Sequence, residues 1–567
     1  MTILADESVP DHGEQDAGPD GVATSVVDDL IQRARTLLAE LQIFQNRVRT
    51  LRREGLVEVA HFRSTIQSEL GMLERLSEKP DDDATRHVAR SSNMPFLETI
   101  WSTAKASRDI ISLQKRIYTS PGVKSAPQGM RHIDPKGTNS RGKGVKGSAV
   151  VVDTITDAGK SWKRVSHVSN QRLLFDLAKQ GWNSGGSDDE DDAANGQRPQ
   201  DDDDDDVPLL KTAKELTSAA KCFRVRTQTP QVYLILPRVQ YGALAEIDAV
   251  IDACRATGAT LILSEQMQPP PHLDDALRIM APDPIESFSP TLNIDCTVLL
   301  ALVSEFSHAK VSKQPWFHTA LQRQVEIEDN ENLLPSLLYP AMGSHDLVCT
   351  TEAVKRMREI VATIGTPSEK ARTAVMLGDV ASKSRDDLLD EMQEWSAYPV
   401  PRDWQLPIRA VDQDDGGCLA TLPPQALQVA KAMTSINQSV FLYGWATRCT
   451  TITSNRTVVK QIESELETFA NLDDEAVWPP IWLCPTARSL VGKEKRSAKK
   501  AGAGEGEKEP HTAWPLPDPL RREQQRRNGL DVLARRKGLD EIDDWRPQGY
   551  PYEEVLAAKR ETSYSST

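Results

Sequence analysis

The chain is 567 residues long, with 39% hydrophobic residues, 27% charged residues and a mean hydropathy of −0.47. This length exceeds what one hydrophobic core supports, so we expect several folded units joined by solvated linkers. The formal net charge of −15 is due mostly to eleven acidic residues in two runs, 188–192 and 201–206. The rest of the sequence is nearly balanced, so the overall charge does not exclude nucleic-acid binding.

Cysteine usage and hydropathy indicate a reduced protein without a membrane span. The seven cysteines stand far apart with no Cys-x-x-Cys pair, and the N-terminus is polar and acidic rather than a secretory signal. The longest apolar run, 296–303, is far too short to cross a bilayer. We therefore expect an intracellular protein, cytoplasmic or nuclear, with no membrane partner.

The N-terminal region is predicted to be helical. Residues 1–23 are rich in Asp, Gly and Pro and are expected to be disordered, whereas 24–120 should form a helical hairpin or three-helix bundle. Ser25 is a candidate N-cap for the first helix. The helices can bury one another, although the first stripe could also bind a partner helix. The periodic apolar positions are Val27, Leu30, Ala34, Leu37, Leu41, Phe44, Val48 and Leu51, then Phe62, Ile66, Leu70 and Leu73, then Phe96, Ile100, Ala104, Ile111 and Ile117.

A small α/β unit is predicted for 148–266, interrupted by an acidic linker at 183–207. It begins with a hairpin whose strands contain 148–153 and 162–165, and strands then alternate with helices. Asp153 and Lys163 could form a carboxylate–lysine pair over a phosphate, but hairpin residues of this kind are more often exposed cross-strand partners. The linker is interpreted as a solvated spacer, with binding of a basic protein partner or mimicry of nucleic acid as the alternative.

Two basic or glycine-rich segments carry weak signals. Residues 137–144 nearly match a phosphate-binding P-loop, but Gly144 stands where a hydroxyl should hold magnesium and no apolar strand precedes the loop, so a flexible linker is the better interpretation. The tail, 491–567, is predicted to be mostly disordered. Its basic run at 493–500 could attract RNA phosphates or act as a nuclear signal.

The last domain, 291–490, again alternates apolar strands with helices and presents a carboxylate at a strand end. Asp295 follows a short buried strand and immediately precedes an apolar helix. Strand C-termini face the ligand crevice in an open α/β sheet, so a carboxylate here is placed to hold a divalent cation. The alternative is a capping carboxylate at a helix start.

Four segments of this domain carry a resemblance: 292–304, 333–335, 349–366 and 441–455. Together they resemble the eukaryotic family known only as domain of unknown function 1308, whose C-terminal region looks like a PIN domain, a metal-dependent nuclease fold. The resemblance implies an open, mostly parallel sheet flanked by helices. It also includes three earlier segments, namely 151–153, Trp162-Lys163 and the helix that starts at Phe96.

The resemblance also implies a site. PIN nucleases gather three or four carboxylates around Mg²⁺ or Mn²⁺. It assigns Asp295 as the first carboxylate and metal ligand. The second catalytic carboxylate that it implies is Glu352, one position after the family's acidic residue, where this chain has Thr351, although Glu352 also fits a simple role at the helix dipole. Ser454 and Asn455, at a later strand end, become candidate substrate-binding residues. Trp445 stands where relatives carry a metal-ligating Asp, which predicts a depleted nuclease site.

These features predict a PIN-like protein that binds RNA or protein partners and has a degenerate nuclease site, with no firmly expected cofactor. One alternative is a ribonuclease dependent on Mg²⁺ or Mn²⁺, in which Asp379 or Asp346 would supply a further carboxylate. The other is a protein-interaction scaffold that recruits partners through the helical region or the acidic linker and binds no nucleic acid. The sequence names no substrate and no cellular process.

Overall fold

The computed structural model describes residues 26–80, 82–119, 129–133, 149–183, 206–379, 382–470, 472, 477–484 and 489–491. These form two compact units. The first contains the described residues up to Ser287 together with 463–478, and the second contains 288–462 and the described residues from Pro479 onward. Several predictions fall outside the described residues: the Ser25 cap, the P-loop-like run 137–144, the acidic residues 188–192 and 201–205, and the basic run 493–500.

Four helices open the first unit: α1 (Val26–Thr50), α2 (Ala60–Ser77), α3 (Asp83–Arg90) and α4 (Met94–Lys105). The predicted stripe of α1 is buried from Val27 to Val48 within this unit. Trp101 of α4 packs against Phe44 and Phe62, with ring centroids 6.1 and 6.4 Å away. Self-packing of the amphipathic helices therefore accounts for the periodic apolar positions.

The third helical pattern ends earlier than its spacing predicts. Helix α4 stops at Lys105, and strand β1 (Ser112–Tyr118) contains Ile117 instead of a further helical turn. This strand pairs antiparallel with Ala149–Ile155. The continuation of the helix through Ile111 and Ile117 was thus wrong, because a six-residue spacing of isoleucines fits the two-residue period of a strand and not the 3.6-residue period of a helix.

The remaining elements of the first unit surround one mixed sheet. They are β2 (Arg131–His132), β3 (Ala149–Thr156), β4 (Ser161–Val165), α5 (Asn170–Asn183), α6 (Pro208–Ala220), β5 (Phe223–Arg224), β6 (Gln231–Leu236), α7 (Ala245–Ala256), β7 (Thr260–Leu263) and α8 (Leu273–Met280). The sheet order is β1-β3-β4-β6-β7, antiparallel up to β4 and parallel after it. Helices α1 to α4 and α8 share one core, whereas α6 and α7 share the other.

The second unit alternates strands and helices along the chain. Its elements are β8 (Thr291–Ile294), α9 (Cys296–Val303), α10 (Glu305–His308), α11 (Thr319–Glu331), α12 (Tyr339–Met342), β9 (Asp346–Thr350), α13 (Thr351–Ile364), α14 (Pro367–Met376), α15 (Arg385–Glu394), β10 (Arg409–Val411), α16 (Pro424–Ala430), α17 (Ser435–Ala446), β11 (Thr450–Thr453), α18 (Arg456–Leu466) and β12 (Ile481–Leu483). The last residues of α18, from Glu463, are counted with the first unit.

All five strands of the second unit run parallel, in the order β10-β9-β8-β11-β12. Helices connect and flank them, which confirms the predicted fold class. The strand residues Leu292–Ile294, Leu347–Thr350 and Thr450–Thr453 are buried throughout. Such uninterrupted burial is typical of parallel strands, which are covered on both faces. Among the described helices, none is long and apolar enough to cross a membrane.

Candidate functional site: the carboxyl edge of the parallel sheet

The five parallel strands of the second unit all end at one edge, the carboxyl edge of the sheet. Ligand sites in open α/β sheets form at this edge, outside the strand ends. The residues that directly follow the five strands therefore all lie at this edge. In the order of the sheet, these are Asp412 after β10, Thr351 after β9, Asp295 after β8, Ser454 after β11 and Cys484 after β12.

Asp295 occupies the N-cap position of α9, and its carboxylate bonds to hydroxyl groups of α9 and of β11. The residue is 3% exposed, and its side chain makes no cap hydrogen bond. Its Oδ2 accepts hydrogen bonds from Thr297 Oγ1 at 2.6 Å and from Thr453 Oγ1 at 2.7 Å. The two hydroxyls in turn accept the backbone N–H groups of Ser454 at 3.1 Å and Asn455 at 2.9 Å. Asp295 therefore joins the end of β8 to the end of β11.

The electrostatic environment of Asp295 disfavours its charged form. Burial raises the pKa of Asp295, and hydrogen bonds from the hydroxyls of Thr297 and Thr453 and from nearby backbone N–H groups oppose the rise. The opposing groups are neutral donors, which compensate a buried charge less fully than a cation does. In a metal centre the cation itself would stabilise the ionised carboxylate.

Glu352 lies on the other side of the edge, together with a carboxylate that the sequence did not single out. Thr351 Oγ1 is 3.3 Å from Glu352 Oε2 and 3.4 Å from Asp412 Oδ1. Thr351 is exposed and begins α13, while Asp412 follows β10. The carboxylates of Glu352 and Asp412 thus share one hydroxyl at the ends of β9 and β10, whereas the Asp295 carboxylate is bonded to residues of α9 and β11.

The further carboxylates proposed from the sequence lie elsewhere. Asp346 is the first residue of β9 and is exposed, so it stands at the amino edge of the sheet, opposite Asp295. Asp379 comes after α14 and forms an ion pair with Arg358. Recruitment of Asp346 to Asp295 was therefore wrong, because a residue's place along its strand fixes the edge at which it stands, whereas Asp379 is bound by Arg358.

Trp445 also lies away from Asp295. It is 2% exposed and belongs to the last turn of α17, which precedes the start of β11. Its place is thus near the amino end of β11, whereas Asp295 contacts the carboxyl end. The prediction that Trp445 takes the place of a metal-ligating Asp in the site of Asp295 was therefore wrong.

The neighbouring Gly444 shows how closely α17 approaches the sheet. A Cβ built on Gly444 would stand 2.0 Å from Thr451 Oγ1 and 2.9 Å from Asn293 Nδ2. That amide group donates to Val440 O at 2.9 Å and to Thr451 Oγ1 at 3.0 Å. Glycine is therefore required for the backbone of α17 to pack on this part of the sheet.

Ser454 and Asn455 are placed at the carboxyl edge, as the sequence predicts. Asn455 Oδ1 accepts the N–H of Val458 at 3.3 Å and so caps the first turn of α18. Ser454 Oγ is buried and has no hydrogen-bond partner among the described residues. Arg456, the first residue of α18, is exposed next to them.

The donor set at this edge does not fit a divalent ion. Within the described parts of the chain, no three His, Cys, Asp or Glu side chains come together in an arrangement that could hold a metal. Mg²⁺ requires near-octahedral oxygen ligands and loses its water reluctantly. At this edge the Asp295 carboxylate is held by the hydroxyls of Thr297 and Thr453, and the carboxylates of Glu352 and Asp412 are joined to the hydroxyl of Thr351.

The carboxylate–lysine pair proposed for the first unit is also absent. Asp153 is fully buried, and its carboxylate accepts Arg164 Nη1 at 3.1 Å and the N–H of Val165 at 2.8 Å. Lys163 Nζ instead donates to Ser107 Oγ at 2.6 Å, and burial lowers the pKa of Lys163. Asp153 and Arg164 are the actual cross-strand partners, since adjacent residues of a strand point to opposite faces.

Two residues of the edge were missed by sequence reasoning. Asp412 follows a strand of only three residues, 409–411, which carries too few residues to show an alternating pattern. Thr297 lies inside the apolar helix that follows Asp295 and looks like an ordinary first-turn residue. The useful signal for both is a polar residue within three positions of a strand end, which becomes informative once the strands are known.

Comparison with known proteins gives one match. Residues 292–396 match the family model described as "Protein of unknown function (DUF1308)". This confirms the resemblance for the segments at 292–304, 333–335 and 349–366, whereas 441–455 and the earlier segments lie beyond the matched range. No curated protein and no solved structure matches the chain.

Proposed function

We propose that the second unit, within which 292–396 match this family, is a PIN-like domain that binds RNA at the carboxyl edge without cutting it. The main support for a non-catalytic role is the orientation of the Asp295 carboxylate, whose Oδ2 accepts hydrogen bonds from the hydroxyls of Thr297 and Thr453. A nuclease would aim this carboxylate at a metal ion shared with further acidic side chains. Here the same carboxylate links two strand ends, so its role is structural.

Two helix N-termini at the carboxyl edge support phosphate binding. Helix α13 begins directly after β9 at residue 351 and α18 begins shortly after β11 at residue 456, whereas the buried Asp295 carboxylate already occupies the N-terminus of α9. The first-turn N–H groups of α13 and α18 carry partial positive charge, which favours anions. Arg456 is exposed at the start of α18 and adds a full charge. A single-stranded RNA backbone supplies phosphates that can follow such an edge.

Binding is tested with a fluorescein-labelled single-stranded RNA and the full chain by fluorescence anisotropy at low and physiological salt. We expect binding that weakens with salt, and about tenfold weaker binding for Arg456→Glu, because a phosphate contact becomes a repulsion. Arg323→Glu is the matched control, since Arg323 is exposed on α11, which packs against α10. Equal loss in both variants would place the binding elsewhere.

Catalysis is tested separately with the same RNA and an excess of Mn²⁺. We expect the native chain and Asp295→Asn to show the same background cleavage. Cleavage that requires Mn²⁺ and disappears in Asp295→Asn would overturn the non-catalytic role. Failure to bind RNA at low salt would instead favour a protein-interaction scaffold. The RNA role also implies residence in the cytoplasm or nucleus.

A metal-dependent ribonuclease is the second candidate, and one contact favours it. Glu352 and Asp412 both lie within 3.4 Å of Thr351 Oγ1. If a cation binds at this edge, that pair would form the first part of its site. The discriminating variant is Asp412→Asn: loss of Mn²⁺-dependent cleavage in this variant, with folding intact, would support the ribonuclease.

A further inference from the structure

A cleft in the first unit runs along the outer edge of β1. It has a volume of about 660 Å³ and lies between the end of α1, the connection to α2 and the strand itself. Ligand clefts span roughly 300–1,000 Å³, so this one is large enough to take part of a molecule. The buried side chains of Phe44, Val48, Val57 and Val59 contribute apolar surface to it.

The outer edge of β1 is paired at only one point. Glu58 donates its N–H to Ile111 O at 2.8 Å and accepts the N–H of Leu113 at 2.9 Å, as a neighbouring parallel strand would. The chain then enters α2 at Ala60, so the pairing stops. Beyond Leu113, no strand among the described residues flanks β1 on this side.

Gln114 marks the point where this pairing ends. Its φ is +49°, an unusual value for a residue other than glycine or asparagine, and its side chain lines the cleft. Its Oε1 is buried without a hydrogen-bond partner among the described residues. A strained backbone and an unpaired polar atom at one position are typical of a functional surface rather than of a finished sheet edge.

The charges along the cleft distinguish between possible occupants. Lys115 is paired with Glu58. Arg49 and Arg116 are exposed and form no ion pair among the described residues, and the exposed Glu54 also lines the cleft, so its cations outnumber its anions by one. Two copies of β1 in antiparallel pairing would bring their Lys115 and Arg116 side chains together, and such repulsion keeps edge strands apart. An acidic segment is favoured instead.

We propose that this cleft binds an extended, acidic peptide segment of a protein partner, which adds a strand to β1. Only an extended backbone matches a row of unpaired N–H and C=O groups, and alternate side chains can then face the apolar surface. Residues of the partner that alternate apolar and acidic would pack over Val48 and Val57 at the floor of the cleft and pair with Arg49 and Arg116. This site is in the first unit and the proposed RNA site is at the carboxyl edge of the second unit, so one proposal can be refuted without the other.

The test uses the full chain and fluorescein-labelled heptapeptides in which valine alternates with Glu, Lys or Ser. We expect the Glu peptide to bind most tightly by anisotropy, and a version with alternate backbone amides N-methylated to bind about tenfold more weakly, since it cannot complete the ladder. Hydrogen–deuterium exchange should slow at residues 115–117. Equal binding of the N-methylated and unmodified peptides, or of the Lys and Glu peptides, would overturn the proposal.

Variants of the protein complete the test. Arg116→Glu should weaken binding of the Glu peptide about tenfold and improve binding of the Lys peptide, because the rim charge changes sign. Lys221→Glu is the control, since Lys221 is exposed at the end of α6 in the other core layer. No binding of any of the three peptides, or a dimer in sedimentation that Arg116→Glu abolishes, would contradict a peptide partner.

Discussion

Thr453 donates its hydroxyl proton to the carboxylate of Asp295 at 2.7 Å, although the two residues are 158 positions apart in the chain. Each follows or ends a parallel strand, and the two strands are neighbours in the sheet. The bond and its partner from Thr297 fix the Asp295 carboxylate at the β8–β11 side of the edge.

Removal of the Asp295 acceptor should destabilise the second unit. Asp295→Ala leaves the hydroxyls of Thr297 and Thr453 without their acceptor, at a cost of about 1–3 kcal/mol. Asp295→Asn should cost less, since its carbonyl oxygen still accepts and burial of a charge is avoided. Urea unfolding at neutral pH measures both. If Asp295→Ala unfolds at the native midpoint, the carboxylate does not hold the strand ends together.

Gly444→Ala should be strongly destabilising. The added Cβ would stand 2.0 Å from Thr451 Oγ1 and 2.9 Å from Asn293 Nδ2, so α17 must move off the sheet at a cost of about 1–3 kcal/mol or more. Gly71→Ala is the matched control, because Gly71 lies inside α2 and its new Cβ meets only an arginine tip at 3.7 Å. That variant should be more stable by roughly 0.5–1 kcal/mol. The shift in the thermal midpoint is the measurement, and equal shifts would argue against the tight approach.

Glu369→Gln should weaken the packing of the second unit. The Glu369 carboxylate is fully buried and accepts three backbone N–H groups, from Glu305 at 3.1 Å, Val491 at 3.0 Å and Thr366 at 2.9 Å. An amide offers one acceptor oxygen and turns the other position into a donor, so about 1–3 kcal/mol should be lost. Chemical denaturation tests this, with the exposed Glu394→Gln as control. An unchanged midpoint would show that these bonds contribute little.

Asp153 should give the first unit a pH-dependent stability. Burial raises the pKa of Asp153 from 3.8 to about 6, against the charge of Arg164 and the N–H of Val165. The folded state then holds the proton more tightly than the unfolded state, so this contribution is fully present below about pH 4 and is lost as the pH rises to about 6. The loss is on the order of 3 kcal/mol, since one pKa unit corresponds to about 1.4 kcal/mol.

Asp153→Asn should remove this part of the pH dependence, because an amide does not titrate. The measurement is the urea midpoint of the native chain and the variant across that pH range. If the urea midpoint changes with pH by the same amount in Asp153→Asn and in the native chain, other titrating groups cause the pH dependence.

Much of the fold could be read from local patterns. The heptad stripe from Val27 to Val48 predicts α1, and an apolar run followed by Asp295 predicts β8 and its helix; both are found. Such patterns show which side chains of a helix or strand face the core and which face solvent. The spacing of apolar residues within the segment itself carries this information.

The tertiary structure decided what the local patterns left open. Ile117 lies in a strand because β3 pairs with it, and Trp445 and Asp346 stand at the amino edge because of where their elements begin and end. The sequence by itself determined that Asp295 ends a strand. Strand order decided that Asp295 contacts Thr453 and that Asp412 contacts Thr351. Hydrogen bonds between distant segments depend on which strands are neighbours in the sheet, and the distance along the sequence does not determine which strands are neighbours.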